Sequence, residues 1–443
     1  AAGFMFLGAP GREGWFKWNA AVTVATHQQD PLNGLYVPPN AAADGAWVRI
    51  ASGGYLSAKW FGAVGDGIAD DTGAIAGALA IAAGGWKLCL PSGTYMVSGI
   101  LMDALDNVRI EGAGRDLTTV KLIGGSTTNV FGILGGASNI RISDMTIDGD
   151  RANQTAAAHG IRFGGCDSVT ISNVRIVKTH SYGIGVQAGT NTNIRIEDFE
   201  IDETGADGID LKDKNSANKE IHIHRGTIRN WGMRLTPQVA VDIRGKANVS
   251  GLILDHTLVN DPVSGSPIAQ QIGFRLRNSD PTNGPEGSGT FSNITVLQLP
   301  PSSTLSYALD TGPDCHNFTI SNFVSYGCYL GVLRGTSGLF NNLSAEDVPT
   351  GDGLSISGSN LIVNGLKLIG TGSFPTTGVD FEPGATGNLL TNFYIDGIGG
   401  TNAIRLQATA DGNLIHNGFV ESGKNIGNSG SGNILRGVIN EDN

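Results

Sequence analysis

A two-part unit that repeats about every 25 residues is the feature that most restricts the fold of this 443-residue chain. The first part is a four-residue pattern that begins with glycine or alanine and has apolar residues at its second and fourth positions. The second part has the same pattern but begins with asparagine. Steps of 23 or 25 residues separate successive first parts that begin at Gly160, Gly183 and Gly208, and again at Gly353, Gly378 and Ala403. A unit this short cannot bury its own apolar face, so the units must stack as a solenoid.

Both parts of the unit have the period of two that is typical of β-strands. We therefore predict an all-β chain in which each repeat is one coil and like positions form ladders about 4.8 Å apart. The recurring asparagine, as at Asn139, Asn193 and Asn317, is expected to form such a ladder at a turn and to be structural.

The stretch that precedes the repeats, residues 60–85, reads as a tight turn followed by a short helix. Glycines surround Asp66 in the turn, and apolar residues recur at helical spacing after Asp71 until Gly84 and Gly85 end the helix. Asp66, Asp70 and Asp71 have the residue type of catalytic carboxylates, but turn formation and capping explain each of them. We expect this segment to seal one end of the solenoid core.

Residues 61–72 (FGAVGDGIADDT) and 88–95 (LCLPSGTY) closely resemble the opening signature of the pectate-lyase-like superfamily. That resemblance implies a right-handed parallel β-helix with an N-terminal capping helix. We accordingly assign residues 59–443 to one β-helix domain and residues 1–58 to a small β-rich segment. The match is specific for the fold and says little about the reaction.

Residues 11–18 (GREGWFKW) and 45–50 (GAWVRI) resemble the segment that precedes the β-helix in many phage tailspikes and related surface depolymerases. The resemblance implies an enzyme that cleaves a bacterial surface polysaccharide, such as a capsule, exopolysaccharide or O-antigen. It also implies a side-by-side homotrimer that acts outside the cell, on the virion tail if a phage encodes it.

Composition excludes several other classes of protein. A formal net charge of −11 disfavours nonspecific binding to nucleic acid or to anionic membranes, which favours a basic surface. No apolar run approaches the length of a membrane span, so we expect no membrane insertion, and no signal peptide is visible at Ala1. The four cysteines have neither metal-ligand spacing nor the density of a disulfide framework, so packing must stabilise the chain.

Three intervals between repeats are longer than one coil. The step from Gly208 to Ala240 is 32 residues, the step from Ala240 to Gly273 is 33, and the interval from Asn248 to Asn293 is 45. Insertions in a solenoid emerge as loops on one side, and loops on a rigid scaffold commonly carry function. The functional groove is therefore predicted near residues 205–315.

Charged residues concentrate on three neighbouring coils of this region. Alignment of the first strands places Asp210, Asp242 and Arg275 in one outward-facing column, and the next column contains Lys212, Arg244 and Arg277. An ordinary solvated sheet face could have the same composition. However, the charged residues lie on the coils that carry the inserted loops, which favours a functional site over an ordinary solvated face.

Two carboxylates one rung apart repel each other when both are ionised, so either one pKa is raised or cations lie between them. A carboxyl pair about 5 to 9 Å apart is what glycoside hydrolysis needs. We predict Asp210 and Asp242 as the acid and the base or nucleophile. Lys212, Arg244, Arg275 and Arg277 are predicted to hold an acidic sugar polymer.

Residues 206–210 (ADGID) resemble the Asn-Thr-Asp-Gly-x-Asp strand of polygalacturonases, which adds Asp207 as a catalytic candidate. Residues 273–277 (GFRLR) resemble the substrate-binding Arg-Ile-Lys strand of that family. However, Val239 and Ala240 stand where its Asp-Asp pair is expected, and no Gly-His-Gly follows. Residues 182–185 (YGIG) resemble mannuronan epimerases, but the Asp-Pro-His of those enzymes is Gly-Val-Gln here, so epimerase chemistry is not expected.

A lyase is the second predicted function. Pectate-type lyases hold Ca²⁺ between Asp residues of adjacent coils and use an Arg or Lys as base, an arrangement that Asp210, Asp242 and Arg275 could reproduce. The hydrolytic function requires no cofactor and no metal. The third possibility is a non-catalytic carbohydrate-binding fibre or adhesin on the same scaffold.

Several further side chains lie near these coils in the sequence. Trp231 and Tyr182 are candidate sugar-stacking residues, although packing under a loop is an equally good explanation. His222 and His224 alternate on a strand, but they have no third ligand at fixed spacing, so no metal site is predicted. Additional carboxylates of the region are Asp213, Asp255 and Glu286.

Overall fold

The structure is a computed structural model that describes residues 3–212, 218–234, 238–268, 270–277, 287–299, 306–348, 352–370 and 377–440. The helices of this part are α1 (Val24–His27), α2 (Thr72–Ala82) and two 3₁₀ helices (Ala58–Phe61 and Arg151–Asn153). The strands are β1 (Phe4–Leu7), β2 (Gly14–Asn19), β3 (Tyr36–Val37), β4 (Ala46–Arg49), β5 (Tyr55–Ser57), β6 (Asp66–Asp70), β7 (Lys87–Leu90), β8 (Gly93–Val97), β9 (Ile100–Asp103), β10 (Arg109–Gly112), β11 (Thr118–Leu122), β12 (Phe131–Leu134), β13 (Ser138–Asp148), β14 (Ile161–Gly164), β15 (Asp167–Val177), β16 (Ile184–Ala188), β17 (Thr192–Asp202), β18 (Ile209–Lys212), β19 (Lys219–Arg229), β20 (Gln238–Arg244), β21 (Lys246–Asp255), β22 (Gln271–Arg277), β23 (Ser288–Gln298), β24 (Tyr307–Thr311), β25 (Phe318–Tyr326), β26 (Tyr329–Leu333), β27 (Leu339–Val348), β28 (Leu354–Ile356), β29 (Ile362–Gly370), β30 (Thr377–Phe381), β31 (Leu389–Asp396), β32 (Asn402–Leu406), β33 (Leu414–Val420), β34 (Asn425–Asn428) and β35 (Ile434–Asn440).

The chain divides into two compact units. The first unit contains residues 1–181 and 191–199, and the second contains residues 182–190 and 200–443. In the first unit, β7, β10, β13 and β15 pair in parallel, as do β9, β12 and β14. In the second unit, even-numbered strands from β16 to β34 form one parallel series and odd-numbered strands from β19 to β35 form another. The predicted fold class, a right-handed parallel β-helix, is confirmed.

Apolar positions of the repeat form ladders inside the coils. Ile209, Val241, Phe274 and Leu309 are successive register partners on β18, β20, β22 and β24, and all four are fully buried. Burial of one such side chain stabilises the folded state by about 1.5–3 kcal/mol. Because every coil adds a comparable set of buried apolar side chains, stacking of the coils forms the core that a single repeat lacks.

The recurring asparagine has the predicted structural role. Asn139, Asn193 and Asn317 adopt φ angles of 51° to 52°, the left-handed conformation that asparagine tolerates better than most residues. Asparagines also bond to one another between coils, since Asn388 Nδ2 donates to Asn413 Oδ1 at 3.0 Å. The left-handed asparagines bend the chain locally, whereas Asn388 and Asn413 accept hydrogen bonds from the amides of Leu361 and Asn388.

The segment at residues 60–85 forms the predicted turn and helix. Asp66 Oδ1 accepts hydrogen bonds from two amides of its own turn, and Asp70 Oδ1 accepts one from Thr72 N at 2.9 Å, at the start of α2. Asp71 occupies the N-cap position, but its carboxylate accepts from Val64 N and Gly65 N and thereby closes the turn instead. All three carboxylates have structural partners, as predicted.

The N-terminal residues form a four-stranded antiparallel sheet with strand order β1-β2-β4-β3. Trp18 and Trp47 are directly opposite each other on β2 and β4, with ring centroids 5.5 Å apart. The short helix α1, which the sequence pattern did not indicate, lies between β2 and β3. The predicted domain boundary after residue 58 stays a prediction.

The four cysteines are free thiols, as expected from their spacing. Burial raises the pKa of Cys166 to about 12, which makes that thiol unreactive. Within the described ranges, no helix has the length and apolarity needed to cross a membrane.

Candidate active site

The predicted charged columns are present in the second unit. Asp210 on β18 pairs in register with Asp242 on β20, which pairs with Arg275 on β22. Lys212, Arg244 and Arg277 form the adjacent column two residues farther along the same strands. Residues two apart on a strand point to the same face, so both columns lie side by side outside the core.

The carboxylates of the first column are buried although they project away from the core. Asp210 and Asp242 are 0% exposed, and Asp207, in the turn before β18, is 3% exposed. The side chains of Lys212 and Arg277 retain 29% and 34% of their exposure. The site therefore presents cations to solvent above buried carboxylates, an arrangement the sequence pattern did not reveal.

Asp242 is surrounded by three guanidinium groups. Its Oδ2 lies 2.5 Å from Arg277 Nη2 and 3.0 Å from the Nη2 atoms of both Arg244 and Arg275. Its Oδ1 accepts further hydrogen bonds from Arg275 Nε and Arg277 Nε at 3.2 and 3.1 Å. Burial opposes ionisation, but the hydrogen bonds from Arg277 and Arg275 outweigh it and lower the pKa of Asp242. Asp242 is thus an ionised group with both oxygens engaged.

Asp210 has weaker partners. Its Oδ2 lies 3.1 Å from Lys212 Nζ and accepts a hydrogen bond from Gln187 Nε2 at 3.3 Å. Its buried Oδ1 lies 3.3 Å from Arg244 Nη2 without hydrogen-bond geometry. Burial raises the pKa of Asp210, and the negative charge of Asp242 raises it further against the opposing charge of Arg244. Asp210 is therefore suited to carry a proton.

Asp207 completes a group of three carboxyls. Its Oδ1 accepts a hydrogen bond from Val239 N at 2.8 Å. Burial raises its pKa well above the usual range, and the charges of Asp242 and Asp210 act in the same direction. One carboxylate oxygen from each of the three residues lies within 4.8 Å of the others. The resemblance to the polygalacturonase strand thus pointed to a residue that the fold brings to the site.

The three carboxyls do not fit a calcium ion. Ca²⁺ takes six to eight oxygen ligands, and ligating carboxylates need free lone pairs. Both oxygens of Asp242 already accept hydrogen bonds from arginines, and Asp210 faces Lys212 and Arg244. These cations already engage the carboxylate oxygens that a metal would need as ligands, so we assign no step to Ca²⁺.

Tyr182 lies at the edge of the cluster. Its hydroxyl oxygen is 3.0 Å from Lys212 Nζ, which also lies 4.9 Å from the centre of the tyrosine ring. Burial and the negative charge of Asp210 raise the pKa of Tyr182. A half-buried aromatic ring beside a cation is suited to contact with a sugar, and this role of Tyr182 stays a prediction.

Trp231 does not join the cluster. Its side chain is fully buried and packs edge-on against His256, with ring centroids 4.8 Å apart. It offers no face to a substrate, so the suggested sugar-stacking role is corrected to packing against His256. His222 and His224 have ring centroids 5.7 Å apart, and neither belongs to a metal-ligand group among the described residues.

Of the additional carboxylates, Asp255 is not part of the site. Asp255 lies on β21, in register with Arg229 on β19 and thus in the other series of strands. Asp213 and Glu286 lie outside the described residues.

Alignment of the repeats did not place one further charged residue in the first column. Asp310 on β24 is the register partner of Arg275, and its carboxylate contacts Arg334. The repeat pattern breaks at this coil because Thr311 replaces the last apolar residue of the strand, so alignment skipped it. Thr311 is buried nonetheless, since its hydroxyl donates to the Arg334 carbonyl at 2.9 Å.

Comparison with known proteins tests the predicted resemblance. Residues 55–244 match the family model described as rhamnogalacturonase A/epimerase, pectate lyase-like. The predicted pectate-lyase-like relationship is confirmed. The matched residues, 55–244, include Asp207, Asp210, Asp242 and Arg244.

Curated relatives match about a third of the chain. Mannuronan C5-epimerase AlgE3 of Azotobacter vinelandii is 38% identical over 174 residues, which are 35% of this chain and 9% of that protein. Alginate lyase 7 of the same organism is 36% identical over 171 residues, 34% of this chain and 20% of that protein. The preneck appendage protein of Bacillus phage PZA is 29% identical over 183 residues, 35% of this chain and 21% of that protein. The matches thus span about a fifth or less of each relative.

A solved structure extends the similarity of fold over most of the chain. The N-terminal fragment of bacteriophage phi29 gene product 12 superposes with a TM-score of 0.65, covering 86% of this chain and 71% of that one. Because the two sequences are 18% identical, the likeness concerns the fold alone.

Proposed function

We propose that this protein hydrolyses glycosidic bonds in an acidic bacterial surface polysaccharide. One observation carries the proposal: neighbouring carboxyl groups have pKa values shifted in opposite directions, raised at Asp210 and lowered at Asp242. The ionised Asp242 helps to keep Asp210 protonated, and a protonated carboxyl is what general-acid catalysis needs. Relatives named as an alginate lyase and as mannuronan epimerases support a polysaccharide as the substrate.

In the proposed reaction, Asp210 is the general acid. It donates its proton to the oxygen of the scissile bond, and the leaving sugar takes the bonding electrons. Asp207 has a raised pKa, so it must lose its own proton to solvent before it can act. As a carboxylate with an oxygen within 4.8 Å of the acid, it then attacks the anomeric carbon as nucleophile, because a short carboxyl separation is nearer the roughly 5–5.5 Å of retaining enzymes than the wider spacing of inverting ones. Water hydrolyses the glycosyl ester while Asp210 accepts the proton of that water.

Asp242 has a different role in this scheme. Its oxygens are held by arginines, so it is a poor nucleophile and a poor base. Its negative charge raises the pKa of both Asp207 and Asp210 and so favours the protonated acid. Asp242 is therefore a positioning residue.

The cations above the carboxyls explain the preference for an acidic sugar. Lys212 and Arg277 are the most exposed members of the cluster, and both side chains are long enough to turn toward a bound ligand. When a substrate carboxylate attracts Lys212 away from Asp210, the Asp210 carboxyl becomes accessible. It also loses the nearby positive charge that stabilised its ionised form. Binding of an acidic sugar thereby uncovers the acid and raises its pKa.

A lyase is the second candidate because Lys212 and Tyr182 are in contact. In that reaction Lys212 or Arg275 would neutralise the substrate carboxylate, and Tyr182 would exchange a proton with the sugar. The raised pKa of Tyr182 keeps its hydroxyl protonated, so little phenolate is available as the base of an elimination, which favours hydrolysis. A non-catalytic fibre is the third candidate, consistent with the complete burial of Asp210 and Asp242.

The deciding experiment compares wild-type protein with Asp210→Asn on capsule, exopolysaccharide and O-antigen from candidate bacteria. Size exclusion would follow chain length, and ultraviolet absorbance would detect unsaturated uronates. The matched control is Asp380→Asn, which alters a buried carboxylate that pairs with Arg405 on other coils. Shortening without absorbance, lost in Asp210→Asn and kept in Asp380→Asn, supports hydrolysis. Shortening with absorbance identifies a lyase, and unaltered polymer throughout the panel identifies a binding fibre.

The similarity to a phage preneck appendage protein supports a location on the virion, with a homotrimer as the proposed assembly. Light scattering on the purified protein tests the assembly, since a monomeric mass at working concentration would contradict it.

A further inference from the structure

The first unit contains a column of like charges on three consecutive rungs. Arg109 on β10 is the register partner of both Lys87 on β7 and Arg141 on β13. Side chains on adjacent rungs are about 4.8 Å apart, and like charges directly opposite each other destabilise a sheet. Such a column is unexpected in a chain with a net charge of −11.

The structure neutralises this column only in part. Lys87 Nζ lies 3.0 Å from both carboxylate oxygens of Glu111, and Arg141 Nη2 donates to Ser172 Oγ at 3.2 Å. Arg109, between them, is exposed, and no group among the described residues forms a hydrogen bond or ion pair with its guanidinium. The middle charge of the column is therefore available to an external anion.

Open space adjoins the column. A cleft of about 500 Å³ is lined by Lys87 and Arg109 together with Gly54, Gly85 and Asn107. Gly54 and Gly85 adopt φ angles of 71° and 98°, and an added Cβ at either position would meet no atom within 4 Å. The two glycines therefore leave open space in the lining of the cleft.

An aromatic residue continues the same column. Tyr55 on β5 is the register partner of Lys87. The residue is 37% exposed, and its ring stacks on Trp60 with centroids 6.2 Å apart. Aromatic rings beside hydrogen-bonding groups are suited to sugar rings, which present both C–H faces and hydroxyls. The amide of Asn107 and the hydroxyl of Ser57 lie beside this column.

We propose that the surface formed by Tyr55, Lys87, Arg109 and Arg141 is a second, non-catalytic binding site for an acidic glycan. The glycan's carboxylate or phosphate groups bind the cations, and a sugar ring packs on Tyr55. This inference goes beyond the proposed function, because it concerns the first unit and requires no cleavage. A second binding site on the same chain would increase overall affinity for a long polymer by multivalency.

The test measures binding of polygalacturonate to protein carrying Asp210→Asn, so that cleavage does not interfere. Arg109→Gln is expected to weaken binding about fivefold, as loss of one charge-assisted contact would. Glu111→Gln is expected to strengthen binding because it frees Lys87. The control Arg229→Gln changes an exposed arginine on β19 and should leave affinity unchanged.

A second readout separates a binding role from a structural one. Arg109→Gln should raise the melting temperature of the free protein, since it relieves repulsion from Lys87 and Arg141. Unchanged affinity or a lowered melting temperature in this variant would overturn the proposal. Equal binding of uncharged dextran or of a single-stranded oligonucleotide would also overturn it, because the site would then recognise no acidic glycan. Loss of hydrolysis in the catalytic experiment would leave these outcomes unaffected.

Discussion

Asp210 and Asp242 lie directly opposite each other on neighbouring parallel strands, both fully buried, yet their pKa values are shifted in opposite directions. Burial opposes ionisation of both carboxyls. The difference lies in the guanidinium donors: Arg275 and Arg277 donate hydrogen bonds to Asp242, whereas Asp210 faces Lys212. The positions of arginines two residues apart on β22 therefore decide which carboxyl is ionised.

Replacing Asp242 with Asn should strongly destabilise the fold. The change leaves three partly buried guanidinium groups without their anion, and removal of one partner from a buried ion pair typically costs about 3–5 kcal/mol. The free energy of unfolding in urea measures the effect. Asp380→Asn should cost less, because Arg405 is 37% exposed and regains water. Equal losses in the two variants would show that the arginines around Asp242 are well solvated.

Asp207→Asn should make the protein more stable at neutral pH. The folded-state pKa of Asp207 is raised above the unfolded value of about 3.9, so the folded state binds more protons between the two values. Its contribution to stability is fully present below the unfolded pKa and is lost as the pH rises through the folded pKa. The Asn side chain can still accept the Val239 hydrogen bond. Unfolding at several pH values tests this, and parallel profiles for the two proteins would contradict it.

The pH dependence of activity should have an alkaline limb set by Asp210. Catalysis requires the protonated acid, so the rate falls as the pH rises through its raised pKa. In Asp242→Asn that limb should move to lower pH, because the nearby negative charge is removed. In Asp380→Asn it should stay in place. Rates of polymer shortening across pH measure this limb. An unmoved limb in Asp242→Asn would show that the charge of Asp242 does not influence the pKa of Asp210.

Asn388→Ala should destabilise the second unit more than Asn364→Ala. Asn388 is 2% exposed, accepts a hydrogen bond from Leu361 N at 2.9 Å and donates to the Gly358 carbonyl at 3.0 Å. Its removal leaves buried backbone groups unsatisfied, at about 1–3 kcal/mol each. Asn364 is half-buried and donates to Asn341 Oδ1 at 3.3 Å. Thermal unfolding of both variants provides the comparison.

The sequence predicted those features that follow from periodicity. Like positions of successive coils become register partners, so the pairing of Asp210, Asp242 and Arg275 could be read from the repeat. The turn at Asp66 and the helix α2 followed from local capping chemistry.

The remaining features depend on side-chain conformation, which periodicity does not determine. The burial of Asp210 and Asp242 results from cations that fold over them, and the burial of Trp231 results from its packing against His256. Asp310 was not aligned with the charged column because its coil departs from the repeat pattern.

The arginine cluster around Asp242 also limits how this protein can change in length during evolution. A solenoid gains or loses coils by duplication and deletion, since each coil contacts only its neighbours. Asp242 draws its partners from β20 and β22, so a coil inserted between these strands would separate the anion from Arg275 and Arg277. We expect natural variation in coil number to spare residues 207–277, which are inherited as one block.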